Sequence, residues 1–290
     1  MSHTPSSIRS PFQRLALSAV LCSLAALFLL PILWMLVTTG KTLEQANSGT
    51  LSLLPDPVSS LTANVAENFS RVWTDPAVTF PVYLRNTLVV AALSVTGMTL
   101  SSAVVAYGFA RINFRFRGGL FAMLLATMMI PFPVVMAPLY LIFRELQWIG
   151  TLKPLWVPAW FGGAFSIFLL RQFYMQIPRE LDEAARIDGC GHWGIFTRII
   201  FPLSTPALAV VALFHFLHVW NDFLGPLIFL NHRDQFTLAL GLQLYQTKAG
   251  GTPVNLLMTA ATMVVAPVLV LFVLAQSTFI KGVSSDGLKE

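Results

Sequence analysis

Long uninterrupted apolar runs limit this chain more than any other feature. A hydrocarbon core about 30 Å thick is crossed by roughly 20 apolar residues in a helix, each rising about 1.5 Å. Six runs meet or approach that length: 15–37, 87–110, 120–143, 154–173, 205–230 and 254–279. The fourth is the shortest and is weakened by Pro158, Gly162 and Gly163. Charged residues are 11% of the chain and apolar residues 56%, whereas a soluble domain carries roughly 25% charged residues. So few charges cannot clothe a soluble fold of this size. The expectation is an all-α polytopic membrane protein of about six spans.

The first run follows Arg9 and Arg14, the arrangement of a secretory signal. It is longer than the usual ~7–15-residue signal core, and no small-residue cleavage site follows, so it reads as a retained span. Lys and Arg then set orientation. With the N-terminus inside, eleven of the 18 basic residues fall on inner segments, three of them in the short 111–117 loop. Both termini are expected to be cytoplasmic, with residues 1–13 a short tail and 280–290 another. The net charge of +5 follows from this bias and calls for no nucleic acid. Cys22 in the first span and Cys190 in a loop read as ordinary thiols. The outer segment 41–85 shows no strong periodicity and is expected to pack over the outer face.

The segment 176–202, between spans four and five, exceeds what joins antiparallel helices. Pro178 suits a helix start, and Glu180, Asp182 and Glu183 place acids near the positive helix end. Leu181, Ala184, Ala185 and Asp188 fall on one side at helical spacing, and Gly189 and Gly191 permit a sharp stop. A second short helix is expected from about 192 to 200, ending before Pro202. Ser204-Thr-Pro206 offers a cap and a proline start for the fifth span. The result is either a small-residue knob that docks on a partner or a helical loop on the membrane surface.

Polar groups inside the spans are costly, roughly 2.5–3.5 kcal/mol per charge on insertion scales, and so face a cavity or a partner. Trp220, Asn221 and Asp222 supply an aromatic face, an amide and a carboxylate, either as a polar helix end or as the lining of a substrate path. His215 and His218, three residues apart, suit helix–helix hydrogen bonds or cavity lining. A metal would need further ligands at that depth, and none is evident. Gly40-Lys41-Thr42 ends like a phosphate-binding loop, but such a loop needs Gly where Met35 stands. No ATPase site, no bound cofactor and no enzyme activity are expected on this chain.

Glu183-Ala-Ala, Gly189, Ile199 and Phe201-Pro202, at these spacings, resemble the EAA loop of bacterial ABC importer permeases. The family usually has Leu where Phe201 stands. Asn86-Thr-Leu, Ala106-Tyr-Gly-Phe-Ala-Arg111, Trp220-Asn-Asp-Phe-Leu-Gly-Pro226 and Thr237-Leu-Ala-Leu-Gly-Leu-Gln243 resemble its carbohydrate-uptake branch. Within that branch the chain is similar to the shorter, six-span member of a heterodimeric pair of the maltose type. The resemblance implies a type I importer transmembrane domain over 14–290 in a bacterial inner membrane. It implies as partners a second permease, two ATP-binding cassette subunits that bind ATP and Mg, and an extracytoplasmic solute-binding protein. It implies a sugar substrate moved by alternating access, with polyols or glycerol phosphate as close rivals. Glu183, Ala184, Ala185 and Gly189 would then form the ATPase contact, and Gly287, Leu288 and Lys289 a tail reaching the same partner. The loop 231–253 lies where the family probes its binding protein. The competing class is a proton-coupled secondary transporter that titrates Asp222, His215 and His218; the loop and the absence of an internal repeat speak against it.

Overall fold

A computed structural model describes residues 11–48, 52, 54–246 and 252–284, with side chains described as far as 276. Its helices are α1 (Pro11–Thr38), α2 (Leu43–Asn47), α3 (Leu61–Thr74), α4 (Phe80–Arg111), α5 (Arg117–Thr127), α6 (Phe132–Glu145), α7 (Lys153–Trp156) and α8 (Ala164–Gln176). They continue as α9 (Glu180–Ile187), α10 (His192–Ile195), α11 (Phe201–Leu203), α12 (Thr205–Trp220), α13 (Leu224–Phe229), α14 (Leu238–Gln246) and α15 (Val254–Ser284). Four helical stretches are long and apolar enough to cross a membrane, or up to six if each of two bent pairs is one span. The tail residues Gly287, Leu288 and Lys289, and residues 247–251 of the expected outer loop, lie outside the described residues.

The chain divides into two compact units, and the first comprises residues 1–74 and 245–264. Here α1 ends at Thr38, and the carbonyls of Thr39 and Lys41 just past it accept the Asn68 amide of α3 at 2.9 and 3.0 Å. Asn255, at the start of α15, donates its side-chain amide to Asn68 Oδ1 at 3.0 Å. Lys41 is buried, donates to the Ser52 carbonyl at 2.6 Å, and lies 4.5 Å over the Trp34 ring. The segment 41–85 thus departs from expectation. It contains a 14-residue amphipathic helix, α3, with Asn68 and Val72 inward and an exposed pair, Glu67 with Arg71, on its outer side.

The second unit, residues 75–244 and 265–290, is organised around α4. This helix begins seven residues earlier than its apolar run, because Pro81 at its first turn costs no hydrogen bond there. Ala103, Ala106 and Ala110 are buried at helical spacing on one face. Their small side chains let α8 and α12 approach closely, the packing mode of helices in lipid. Tyr107 shares that core with Ile167, Leu170 and Tyr174 of α8, with Ala207, Leu208 and Val211 of α12, and with Ile195, Phe196 and Ile200.

Three spans are less regular than their apolar runs suggest. The third bends by 96° between α5 and α6, where Pro131 and Pro133 withhold amide donors. The fifth is helical only to Trp220, and 221–223 breaks it before α13. In the fourth, α7 runs through a 3-10 turn (Val157–Phe161) into Gly162, at φ 82°, before α8 begins. The loose backbone of this third break is held by α4. Ser101 donates to the Ala159 carbonyl at 3.3 Å, and Ser102 accepts from the Gly163 N–H at 3.2 Å.

Trp160 of this break lies so close to Gly97 of α4 that a methyl group there would overlap its indole ring. Overpacking of this kind costs about 1–3 kcal/mol. Gly97→Val is therefore expected to lower the thermal midpoint of the detergent-purified chain, read by intrinsic tryptophan fluorescence, whereas Gly108→Ala, where a methyl group meets nothing, is expected to leave it in place.

Candidate functional site

The segment after span four folds as two helical pieces, as its residues suggest. Pro178 leads into α9, and Gly189, at φ 83°, ends the turn that follows it. A positive φ at this point suits glycine and strains residues with a Cβ. The second piece runs further than expected. α10 passes through a π-helical turn at Phe196–Ile200 into α11, carries Pro202 within it, and bends by 75° into α12. Pro206 cannot donate to the Pro202 carbonyl four residues back, and the Thr205 hydroxyl does so instead at 2.7 Å.

The two faces of α9 differ. Glu183, Ala184, Ile187, Asp188 and Gly189 are exposed, whereas Asp182 and Ala185 are buried. Of the four residues expected at the partner contact, Ala185 therefore points the other way, into the core beside Tyr107 and Tyr174. It is also not on the same side as Leu181, Ala184 and Asp188, which remain exposed. What is left outside is a compact knob with Glu183 and Ala184 on one helix and Gly189 at its turn. Ile187, 87% exposed, is its apolar tip.

Beneath the knob lies a buried polar joint that the sequence reading passed over. Tyr174 lies in the last turn of α8, four residues before Pro178, which has no N–H to return to the Tyr174 carbonyl. Arg111, at the end of α4, fills that gap: Nη2 donates to the Tyr174 and Ile177 carbonyls, both at 2.7 Å. Its Nη1 lies 3.4 Å from the Asp182 carboxylate, and both side chains are buried. Tyr107, one turn earlier, hydrogen-bonds the His192 ring at 3.3 Å. The detectable signal was the spacing of Pro178 from Tyr174 in a span with few donors to spare.

A second polar region lies deeper in the same unit. His215, His218 and Asp222 line one cavity of about 310 Å³, together with Ser94, Thr237 and the rings of Phe132, Phe143 and Phe229. Both histidines also line a neighbouring space of about 440 Å³ beside Met98 and Ser166. His215 is held by Ser94 of α4 at 2.7 Å. Trp220 and Asn221 do not line either cavity: Trp220 is buried against Phe216, with ring centres 5.1 Å apart, and the Asn221 amide turns back to the Leu217 carbonyl at 2.8 Å. Asp222 differs from both. It lines the cavity and accepts from the Gly225 N–H at 3.0 Å, fixing the start of α13.

The motif residues Asn86 and Thr87 meet the second half of the chain. The Asn86 amide donates to the Asp234 and Phe236 carbonyls at 2.8 and 3.1 Å, and the Thr87 hydroxyl accepts from the Leu238 N–H at 2.8 Å. Two sequence motifs about 150 residues apart therefore form one joint at the start of α14.

Residues 96–285 match the family described as binding-protein-dependent transport system inner membrane component. AraQ, the arabinooligosaccharides transport system permease protein of Halalkalibacterium halodurans, is 31% identical over 97% of this chain and 98% of its own length. MalG, the trehalose/maltose transport system permease protein of Thermococcus litoralis, is 32% identical over 95% of this chain and 96% of its own. Among solved structures, a chain of a bacterial ABC transporter involved in alginate import shares the fold. Its TM-score is 0.80 at 21% identity, covering 94% of this chain and 99% of that one.

The split between the faces of α9 is open to chemical test. With Cys22 and Cys190 replaced by serine in the chain purified alone in detergent, Ala184→Cys is expected to react with a maleimide at least about tenfold faster than Ala185→Cys, since a thiol must be exposed to react.

Proposed function

The chain belongs to the binding-protein-dependent transport system inner membrane components, the membrane-spanning permeases of ABC importers, and from that premise we propose that it carries a sugar or oligosaccharide. It does so as one half of a permease pair driven by two ATP-binding cassette subunits. The substrate class follows AraQ and MalG, whose names specify arabinooligosaccharides and trehalose/maltose. ATP and Mg belong to the ATPase partners, and substrate arrives on an extracytoplasmic binding protein. The membrane is the bacterial inner membrane, with both termini and the α9 knob on its cytoplasmic side.

One observation carries the coupling role. Glu183, Ala184 and Gly189 stand free at the surface of a knob whose underside is bonded into the α4–α8 core. An exposed carboxylate beside a small residue suits a cleft with a basic wall. Movement of that cleft, as the ATPases close on ATP, turns the knob and the packed helices behind it. The spaces at His215, His218 and Asp222 then open to one side of the membrane or the other. Their carboxylate, imidazoles and hydroxyls between aromatic rings match the hydroxyl-rich, two-faced surface of a sugar.

Purification of the assembly through a tag on this chain, followed by mass spectrometry, is expected to recover an ATPase, a second permease and a solute-binding protein. Recovery of the chain alone or as a homo-oligomer contradicts the assignment. Glu183→Lys is expected to leave membrane insertion intact while lowering ATPase recovery and uptake together. Asp222→Asn is expected to lower uptake with ATPase recovery unchanged.

A further inference from the structure

We propose that Arg111 and Asp182 are positioning residues for the ATP-driven step, a clasp that makes the α9 knob move as one body with α4 and α8. The inference rests on the coupling role assigned above to the exposed face of α9. Three observations carry it. First, Arg111 joins three chain segments from one point: its own helix, the end of α8 through the Tyr174 and Ile177 carbonyls, and α9 through Asp182. Second, the contact is dry. Arg111 is 2% and Asp182 7% exposed, while the two other ion pairs among the described residues lie on the surface. Salt and water screen surface pairs and leave a buried one strong, and removal of one partner strands the other charge.

Third, the link between α8 and α9 is otherwise weak. Only Ile177 to Arg179 separate the two helices, and Pro178 removes the backbone bond that would have carried α8 onward. A lever jointed at that proline would bend there under load. The buried Ala185 alone gives α9 one small apolar foothold. The guanidinium supplies the stiffness the backbone lacks, and its planar fork is what allows one side chain to hold two carbonyls and a carboxylate. Arg111 Nε and Asp182 Oδ1 make no hydrogen bond among the described residues.

The test uses the complete complex, with its ATPase, second permease and binding protein, in proteoliposomes. It reads substrate delivered per ATP hydrolysed, because a fault of folding alone lowers the amount of complex and not that ratio. Asp182→Asn and Arg111→Lys are expected to assemble with the ATPase and to hydrolyse ATP, yet to deliver about fivefold less substrate per ATP, the lower end of measured couplings between sites. Asp182→Glu, which keeps the charge, is expected to restore the ratio. An unchanged ratio in both Asp182→Asn and Arg111→Lys overturns the clasp. So does a fall in the ratio that Asp182→Glu fails to reverse. Glu183→Lys in parallel separates the two claims: loss of ATPase capture there with normal ratios at 111 and 182 removes the clasp and leaves the docking role standing. Normal capture and normal uptake by Glu183→Lys remove the docking role itself.

Discussion

A peptide N–H or C=O with no partner costs several kcal/mol in hydrocarbon, so irregular backbone at membrane depth persists only where other groups bond it. This chain breaks or bends three of its spans, and much of what repairs them comes from one helix. Ser101 and Ser102 of α4 hold the break at Gly162 and Gly163. Arg111 takes the carbonyls freed by Pro178, and Asn86 and Thr87 hold the chain ahead of α14. Ser94 fixes His215 at the cavity. A helix of 32 residues that both packs through alanines and hydrogen-bonds through serines, threonine, asparagine and arginine is the frame to which the second unit is tied.

That frame also offers a path for the proposed coupling. Force applied at the α9 knob must reach the cavity at His215 and Asp222. It has a route through the packed core of α4, α8 and α12, to which Ala185, Tyr174, Tyr107 and Leu208 all belong. The breaks in the third, fourth and fifth spans border the cavity, since Phe132, Gly162 and Asp222 all line it. Irregular backbone therefore borders the cavity while close packing lies behind the knob, the distribution that the proposed alternating access would use.

The six apolar runs, the two helical pieces of the 176–202 segment and the exposed face of Glu183 and Ala184 were legible because hydrophobic length, proline and glycine act locally. The breaks were only half legible. Pro131, Pro133 and Gly162 announce weak points, but the size of each bend depends on partners far away in sequence. Ala185 was misplaced because its spacing from Leu181 and Asp188 puts it on their side, while the core it enters, with Tyr107 and Tyr174, is built by other helices. Trp220 and Asn221 are polar or aromatic neighbours of Asp222 in sequence, yet adjacent residues on a helix point apart, and only Asp222 reaches the cavity. Asp182 read as an acid at a helix start. Its burial against Arg111, 71 residues earlier, had no local sign.

Conversion of a partner's ATP into movement of solute is tested most directly in proteoliposomes containing the purified complex and its loaded binding protein. With ATP supplied on the side that carries the Glu183 knob, uptake should follow ATP hydrolysis and continue when a protonophore abolishes the proton gradient. Uptake that survives ATP depletion and collapses with the protonophore would contradict the account, and would make His215, His218 and Asp222 a proton path.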